Sequence, residues 1–426
     1  MIVGPGVAAG ESRRRGVGAR LRRIRAPIPC ASGGVKVATV AERVQARIER
    51  FRSDRVTDAG GAGRFLHGRP ARPGDIVLTS NDYLALASEG RITRATATAL
   101  GRDGERSPAD VHRKPLAHML SEHMHAGSGI VCQSGWAANT GLLQAIADTE
   151  TPVHIDEQAH MSLRHGAVGA GASVHTFRHN RPDHLRDQLH RHGPGIVAVD
   201  AIYSTSGGRS PLPELCDVAD ETGSVLVVDE SHSLGIDGPH GEGAVAALGL
   251  ADRVPFRTAS LAKAFAGRAG FIAVRSPDFV GYFEQASYPA VFSSALRPHD
   301  IAGLAATVEV IRAAEDRRAR LRGVADVVRK ELGSLGFDLE GSDSQIVSVP
   351  TGPESRGLAI RSVLERHGVL GAPFCPPATP PNRSLIRFSL HAALSDADID
   401  RIILACTEVR DRYGATAPDR RVLGRG

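Results

Sequence analysis

Between residues 128 and 275, short apolar runs alternate with stretches of helical periodicity, and this alternation limits the possible folds more than any other feature of the chain. The runs cover residues 129–132, 152–155, 173–177, 196–200, 225–229, 256–259 and 271–274. Helical patterns fill the gaps at 136–147, 161–169, 182–191 and 212–222. Strands that are apolar almost throughout, rather than at every second residue, belong to a sheet covered on both faces. Helices between them act as crossovers, so most neighbours run parallel. The expectation is an α/β fold around a mostly parallel seven-stranded sheet. In such sheets, ligands gather beyond the carboxyl ends of the strands.

On either side the pattern changes. Val37, Val40, Val44, Ile48 and Phe51 fall on one face of a predicted helix, and a glycine-rich stretch at 60–63 ends it. Residues 76–80 form a short strand leading into Asn81. After the central region a helical run spans 301–332, followed by short elements at 344–349, 357–367, 385–390 and 395–412. Ser395 and Asp398 have the spacing of a capping box for the last helix. Five segments result: an Arg-rich tail (1–36), an N-terminal helical segment (37–75), a large domain (76–305), a smaller C-terminal α+β domain (306–413) and a polar tail (414–426).

The net charge of +5 is unevenly placed. Residues 1–36 hold seven arginines and Lys36 against Glu11, a net of +7, so the remainder is near −2. The body therefore offers no broad basic face for nucleic acid. The tail has no positive segment followed by an apolar core, which argues against a secretory signal and for a disordered extension. No apolar run approaches the roughly 18 residues of a membrane span. Five cysteines (Cys30, Cys132, Cys216, Cys375, Cys406) lack paired spacing, which points to reduced thiols in a cytoplasmic protein and to no metal site.

One strand end carries distinctive chemistry. The run 225–229 finishes in Asp229, followed by Glu230, Ser231 and His232. Thirty-four residues beyond Asp229 stands Lys263, among the small residues of 258–267. The chain has only four lysines among its 52 basic residues, and arginine cannot replace lysine as an amine nucleophile. An acid at a strand end, a histidine one turn on and a lysine in a small-residue frame are what a pyridoxal 5′-phosphate (PLP) site needs. The lysine forms the Schiff base, and the carboxylate pairs with the pyridinium nitrogen. Ser134, Gly135 and Trp136, between a strand and a helix, have the makings of a phosphate seat at a helix N-terminus. An ordinary tight turn would read the same way.

Taken in order, these motifs resemble the α-oxoamine synthases. These enzymes have the fold-type-I PLP-dependent transferase fold, the aspartate aminotransferase-like architecture, and join an amino acid to an acyl-CoA. The resemblance runs from about Asn81 to Leu394. It implies a cofactor-phosphate loop at Ser134–Gly135–Trp136, a ring-stacking histidine at His160 and a hydroxyl near the phenolic oxygen at Ser204. It also implies a phosphate-binding hydroxyl at Ser260, a segment reaching the partner subunit's phosphate at Ser293 and Ser294, and substrate-binding residues at Arg387 and Asn81. Lys263, His232, Asp229 and His160 are the implied catalytic set, and a homodimer with shared sites follows. Residues 104–114 depart from the glycine-rich segment of most members. Residues 132–139, 159–163, 177–180, 259–270 and 377–387 instead resemble the branch that makes long-chain aminoketone autoinducers. An acyl-CoA donor and an amino acid or S-adenosylmethionine-like acceptor are implied. The alternatives are an 8-amino-7-oxononanoate or 2-amino-3-ketobutyrate synthase-like enzyme, or an aminotransferase of the same fold.

Overall fold

The computed structural model describes residues 38–53, 68–101, 109–339 and 341–415. The Arg-rich tail, the 60–63 stretch, part of the 104–114 segment and the chain beyond 415 lie outside them. Two compact units divide at Asp58/Ala59. In the first, helix α1 (Val40–Arg52) starts at a capping box in which Thr39 and Glu42 satisfy each other's backbone N–H groups. Val40, Val44, Ile48 and Phe51 form the expected single face, and all four side chains are exposed; Val37 lies outside the described residues.

The second unit opens with strand β1 (Ile76–Val77) and helices α2 (Gly90–Leu100) and α3 (Ala109–His123). A strand-helix series follows: β2 (Ser128–Cys132), α4 (Gly135–Ile146), β3 (Val153–Asp156), α5 (Met161–Gly169), β4 (Val174–Phe177) and α6 (Pro182–His192). It continues through β5 (Ile196–Asp200), α7 (Leu212–Thr222), β6 (Val225–Asp229), α8 (Ala244–Ala247), β7 (Phe256–Ser260) and β8 (Gly270–Val274). Then come α9 (Asp278–Ala286), α10 (Tyr288–Phe292), α11 (Pro298–Arg312) and α12 (Glu315–Ser334). The chain closes with β9 (Ile346–Gly352), α13 (Glu354–Arg366), β10 (Val369–Leu370), β11 (Ala372–Phe374), β12 (Ser384–Ser389) and α14 (Asp396–Tyr413).

The seven expected strands form one sheet in the order β2-β8-β7-β6-β5-β3-β4. Only β8 runs antiparallel to its neighbours. Both faces are covered, and successive residues of β5 show how. Ile196 and Ala198 pack in one cluster with Leu142, Leu143 and Leu163, while Val197 and Val199 pack in the other with Leu185, Leu215 and Val218. A smaller antiparallel sheet has the order β11-β12-β9, and β1 pairs in parallel with β10.

The helical run expected over 301–332 is two helices. Ala313 and Ala314 leave helical geometry, and the buried Arg318 fills the break. Its guanidinium donates to the carbonyl oxygens of Ile311 and Pro239, each at 2.6 Å, and so satisfies the exposed end of α11. The strand expected over 76–80 stops at Val77. Beyond it, the Asp82 carboxylate accepts the N–H groups of Leu86 and Ala87 and bends the chain into a turn. The capping box of Ser395 and Asp398 is present.

Candidate active site

Asp229 ends β6 with both carboxylate oxygens engaged. Oδ2 accepts from Asn139 Nδ2 at 2.6 Å, and Oδ1 accepts from the Ser231 N–H at 2.8 Å. Asn139 is itself fully committed. Its other amide hydrogen goes to Ser162 Oγ (2.8 Å), and its oxygen accepts from Thr258 Oγ1 (2.5 Å). The carboxylate is therefore fixed by residues of α4, β7 and the turn after β6. The sequence string around Ser134 contained Asn139, but nothing in it marked the residue as a partner of an acid 90 positions away.

Beside this carboxylate, β7 ends in Ser260 and leads to Lys263. The lysine amine makes no hydrogen bond or ion pair among the described residues. Burial, helped by the Arg387 charge and opposed by Asp229, lowers its pKa below the usual lysine value. Ser260 is tied to the turn after β6 by its N–H to Ser231 Oγ (2.8 Å). Against it lies the start of α4, where extended Ser134 caps the helix by accepting the Ala137 N–H. A Cβ on Gly135 would sit 2.6 Å from Ser260 Cβ and 2.9 Å from its Cα, so only glycine permits this approach. The free N–H groups of a helix start facing a hydroxyl form an anion seat. Trp136 lies at its rim, 46% exposed, with its ring 5.9 Å from that of His160.

His160 caps α5. Its Nδ1 lies 2.6 Å from Ser162 Oγ, and its N–H donates to Asp200 Oδ1 at 3.1 Å. His232, in the turn after β6, is buried. Its Nδ1 lies 2.6 Å from the hydroxyl of Tyr83, which is also 3.2 Å from Asn81 Oδ1. Burial, with Lys263 and Arg387 nearby, pushes the imidazole pKa well below its ordinary value, which favours the neutral ring. Burial also raises the pKa of the Tyr83 phenol.

Arg387 reaches the same place from β12. Its Nη2 donates to Asn81 Oδ1 (3.1 Å), its Nη1 donates to the Ser204 carbonyl (2.7 Å), and its head lies over the Phe374 ring at 4.7 Å. Its buried Nε has no hydrogen-bond partner among the described residues. Ser204 thus enters through its carbonyl. Ser293 and Ser294 stand apart from this cluster on an exposed segment after α10, where Ser293 donates to the Pro289 carbonyl. Tyr83 is the other participant the sequence did not disclose.

The residues fit PLP. There is an anion seat, a carboxylate fixed by donors on both oxygens and, among the described residues, an amine without a protein partner and a guanidinium with an unpartnered Nε. The profile of the family described as Aminotransferase class I and II matches residues 73–405. The chain is 41% identical over 377 residues to the CAI-1 autoinducer synthase of Vibrio campbellii, a match covering 86% of this chain and 94% of that one. The chain belongs to the α-oxoamine synthase branch of this family. This synthase is also 30% identical over 380 residues to the 8-amino-7-oxononanoate synthase of Geotalea daltonii, covering 86% and 95% of the two chains. It shares its fold with a solved serine palmitoyltransferase from S. paucimobilis at a TM-score of 0.78 and 24% identity, over 88% of this chain and 98% of that one.

Proposed function

We propose that this synthase is a PLP-dependent acyl-CoA:amino acid C-acyltransferase. It joins an amino acid to an acyl thioester with loss of CoA and CO2 and yields an α-aminoketone. The observation that carries the reading is the meeting of Asp229, Lys263, His232 and Arg387 around one anion seat at the carboxyl ends of the strands. The 41% identity to an autoinducer synthase supports a long-chain signal as the product class. The match to 8-amino-7-oxononanoate synthase keeps that activity as the second reading.

PLP, when bound, supplies an electron sink for a carbanion at the substrate Cα. Ser134, Gly135, Trp136 and Ser260 would hold its phosphate, Asp229 its ring nitrogen, His160 its ring face, and Ser204 and His232 its phenolic oxygen. Asp229, fixed in place by Asn139 and Ser231, would raise the pKa of the nitrogen it faces. Lys263 holds more neutral amine near pH 7 than a surface lysine does, so it serves first as the attachment point and then as the base at the Cα. Arg387, pinned by Asn81 and Ser204, offers Nε to the substrate carboxylate. With Nδ1 of His232 accepting from the Tyr83 hydroxyl, the neutral ring carries its proton on Nε2, which would donate to the phenolic oxygen and then to the acyl carbonyl oxygen as charge grows there.

A homodimer completes the proposal. Ser293 and Ser294 are exposed beside Phe292, itself 80% exposed, and in a dimer they would reach the phosphate bound by the other protomer. Among the described residues no helix is long and apolar enough to cross a membrane. Cys132, Cys216 and Cys406 are buried free thiols, which supports a cytoplasmic setting. The test is to incubate the holoenzyme with 2-aminobutyrate, S-adenosylmethionine and other amino donors, paired with acyl-CoAs of graded length. Free thiol and product mass are then read. Thiol release with a decarboxylated aminoketone is expected; amino-group transfer without thiol release would make it an aminotransferase.

A further inference from the structure

Three successive hydrogen-bonded strands end in carboxylates: Asp156 on β3, Asp200 on β5 and Asp229 on β6. β5 and β6 are parallel with Asp200 in register with Asp229, so both side chains leave the same face of the sheet. Adjacent strands lie about 4.8 Å apart. Asp200 is only 3% exposed and Asp229 5%. Two negative charges at that spacing, with almost no water between them, do not both persist.

The hydrogen bonds show which one gives way. Asp229 receives a side-chain amide and a backbone N–H, one on each oxygen. Asp200 receives a single N–H, from His160 at 3.1 Å. The other neighbours do not favour a charge on Asp200. Asp156 adds negative charge on the far side, and its own donors are His179 (3.0 Å) and the N–H groups of Gln158 and Asn180. Tyr203, just past β5, has its hydroxyl on Ser210, and burial with Asp156 suppresses its ionisation. Lys263 is felt by Asp229. Among the described residues no cationic side chain pairs with Asp200. Burial first, and then the Asp229 charge, push its carboxyl well above the usual range, opposed by the His160 N–H.

We propose that Asp200 is a positioning residue that works as a neutral carboxylic acid, anchoring His160 through its backbone N–H and leaving Asp229 the one negative charge available to the ring nitrogen. The inference rests on the cofactor reading above. It explains a side chain whose place in the fold would otherwise make it a rival of Asp229. An ionised Asp200 would share the pull on the ring nitrogen with Asp229; a neutral one holds the ring-facing histidine still.

Infrared spectra of the holoenzyme should show a protonated side-chain carboxyl band that persists at pH 7 and above and is missing from Asp200→Asn. That variant keeps an uncharged acceptor for the His160 N–H, so it should retain PLP as tightly as the wild type, with the same visible absorption. Asp200→Ala removes the acceptor and should weaken PLP retention about fivefold, the scale of one net hydrogen bond. Its absorption maximum should shift as His160 loosens. A wild-type enzyme without the band at pH 7, a band that survives in Asp200→Asn, or an Asn variant as weakened as the Ala variant would each overturn the assignment. These readouts do not depend on turnover. Failure to condense acyl-CoA would sink the synthase reading and leave this comparison standing.

Discussion

At the scale of single residues, Lys263, Asp229 and His232 were legible because each motif is local: a strand end, one turn of chain and a loop of small residues. Borohydride reduction of the holoenzyme should fix the cofactor to Lys263, and Lys263→Ala should abolish both the linkage and turnover. Peptide mapping that found the label on Lys114 or Lys330 would refute the assignment. Asp229→Asn keeps the shape but removes the charge and sets an NH2 group against one of the two donors, Asn139 or Ser231, so turnover should fall by at least about 10²-fold, as with loss of one preorganised electrostatic partner. Asn139 and Tyr83 went unassigned because their roles exist only across the fold, toward Asp229 and His232. No spacing in a sequence encodes those meetings. The side chain of Asn139 is fully hydrogen-bonded, so Asn139→Leu should release Asp229 and Thr258 together and weaken cofactor retention without abolishing folding.

At the scale of elements, the parallel strands were visible because burial on both faces leaves an apolar run with sharp ends. The direction of β8 was not, since pairing orientation leaves no mark on an apolar run. Helices α2 and α3 leave weak sequence signals for different reasons. All the residues of α2 stay partly or fully exposed, and α3 carries Pro115 in its interior, which reads as a break. The α11–α12 junction was hidden because both helices bury continuous apolar stripes and the break rests on one arginine. Arg318→Met should strand the carbonyl of Pro239, while that of Ile311 keeps the Ala314 N–H, and should cost about 2 kcal/mol, taking the loss of a buried bond as roughly 1–3 kcal/mol. A denaturant midpoint equal to wild type would show that the junction is held by packing alone.

At the scale of the whole molecule, stability should depend on acid in a defined window. Burial lowers His123 and His154 to about 4 and holds His232 well below its ordinary value. A folded pKa below the unfolded value of about 6.5 means that the neutral form is the native one. The stabilisation is therefore complete above pH 6.5 and is lost as pH falls toward 4. Asp200 and Glu230, whose carboxyl pKa values are raised by burial, act in the opposite sense over the same window, so the histidine contribution is read as a difference: thermal midpoints of the wild type should fall more steeply toward pH 4 than those of His154→Gln, and equal slopes would contradict the burial of that ring. Substrate choice also belongs to this scale. Each buried CH2 favours binding by roughly 0.8 kcal/mol, so octanoyl- and decanoyl-CoA should exceed acetyl- and succinyl-CoA in kcat/KM. The opposite order would remove the autoinducer assignment and leave the synthase. The bond from Arg387 to Asn81 joins residues 306 apart. Contacts that close so long a loop are slow to form, because the entropy of bringing distant segments together precedes any gain. A partly folded chain can possess the lysine and its acid and still have no grip on a substrate carboxylate. Competence to bind the amino acid, read from its effect on the cofactor's colour during refolding, therefore times the final assembly of the molecule.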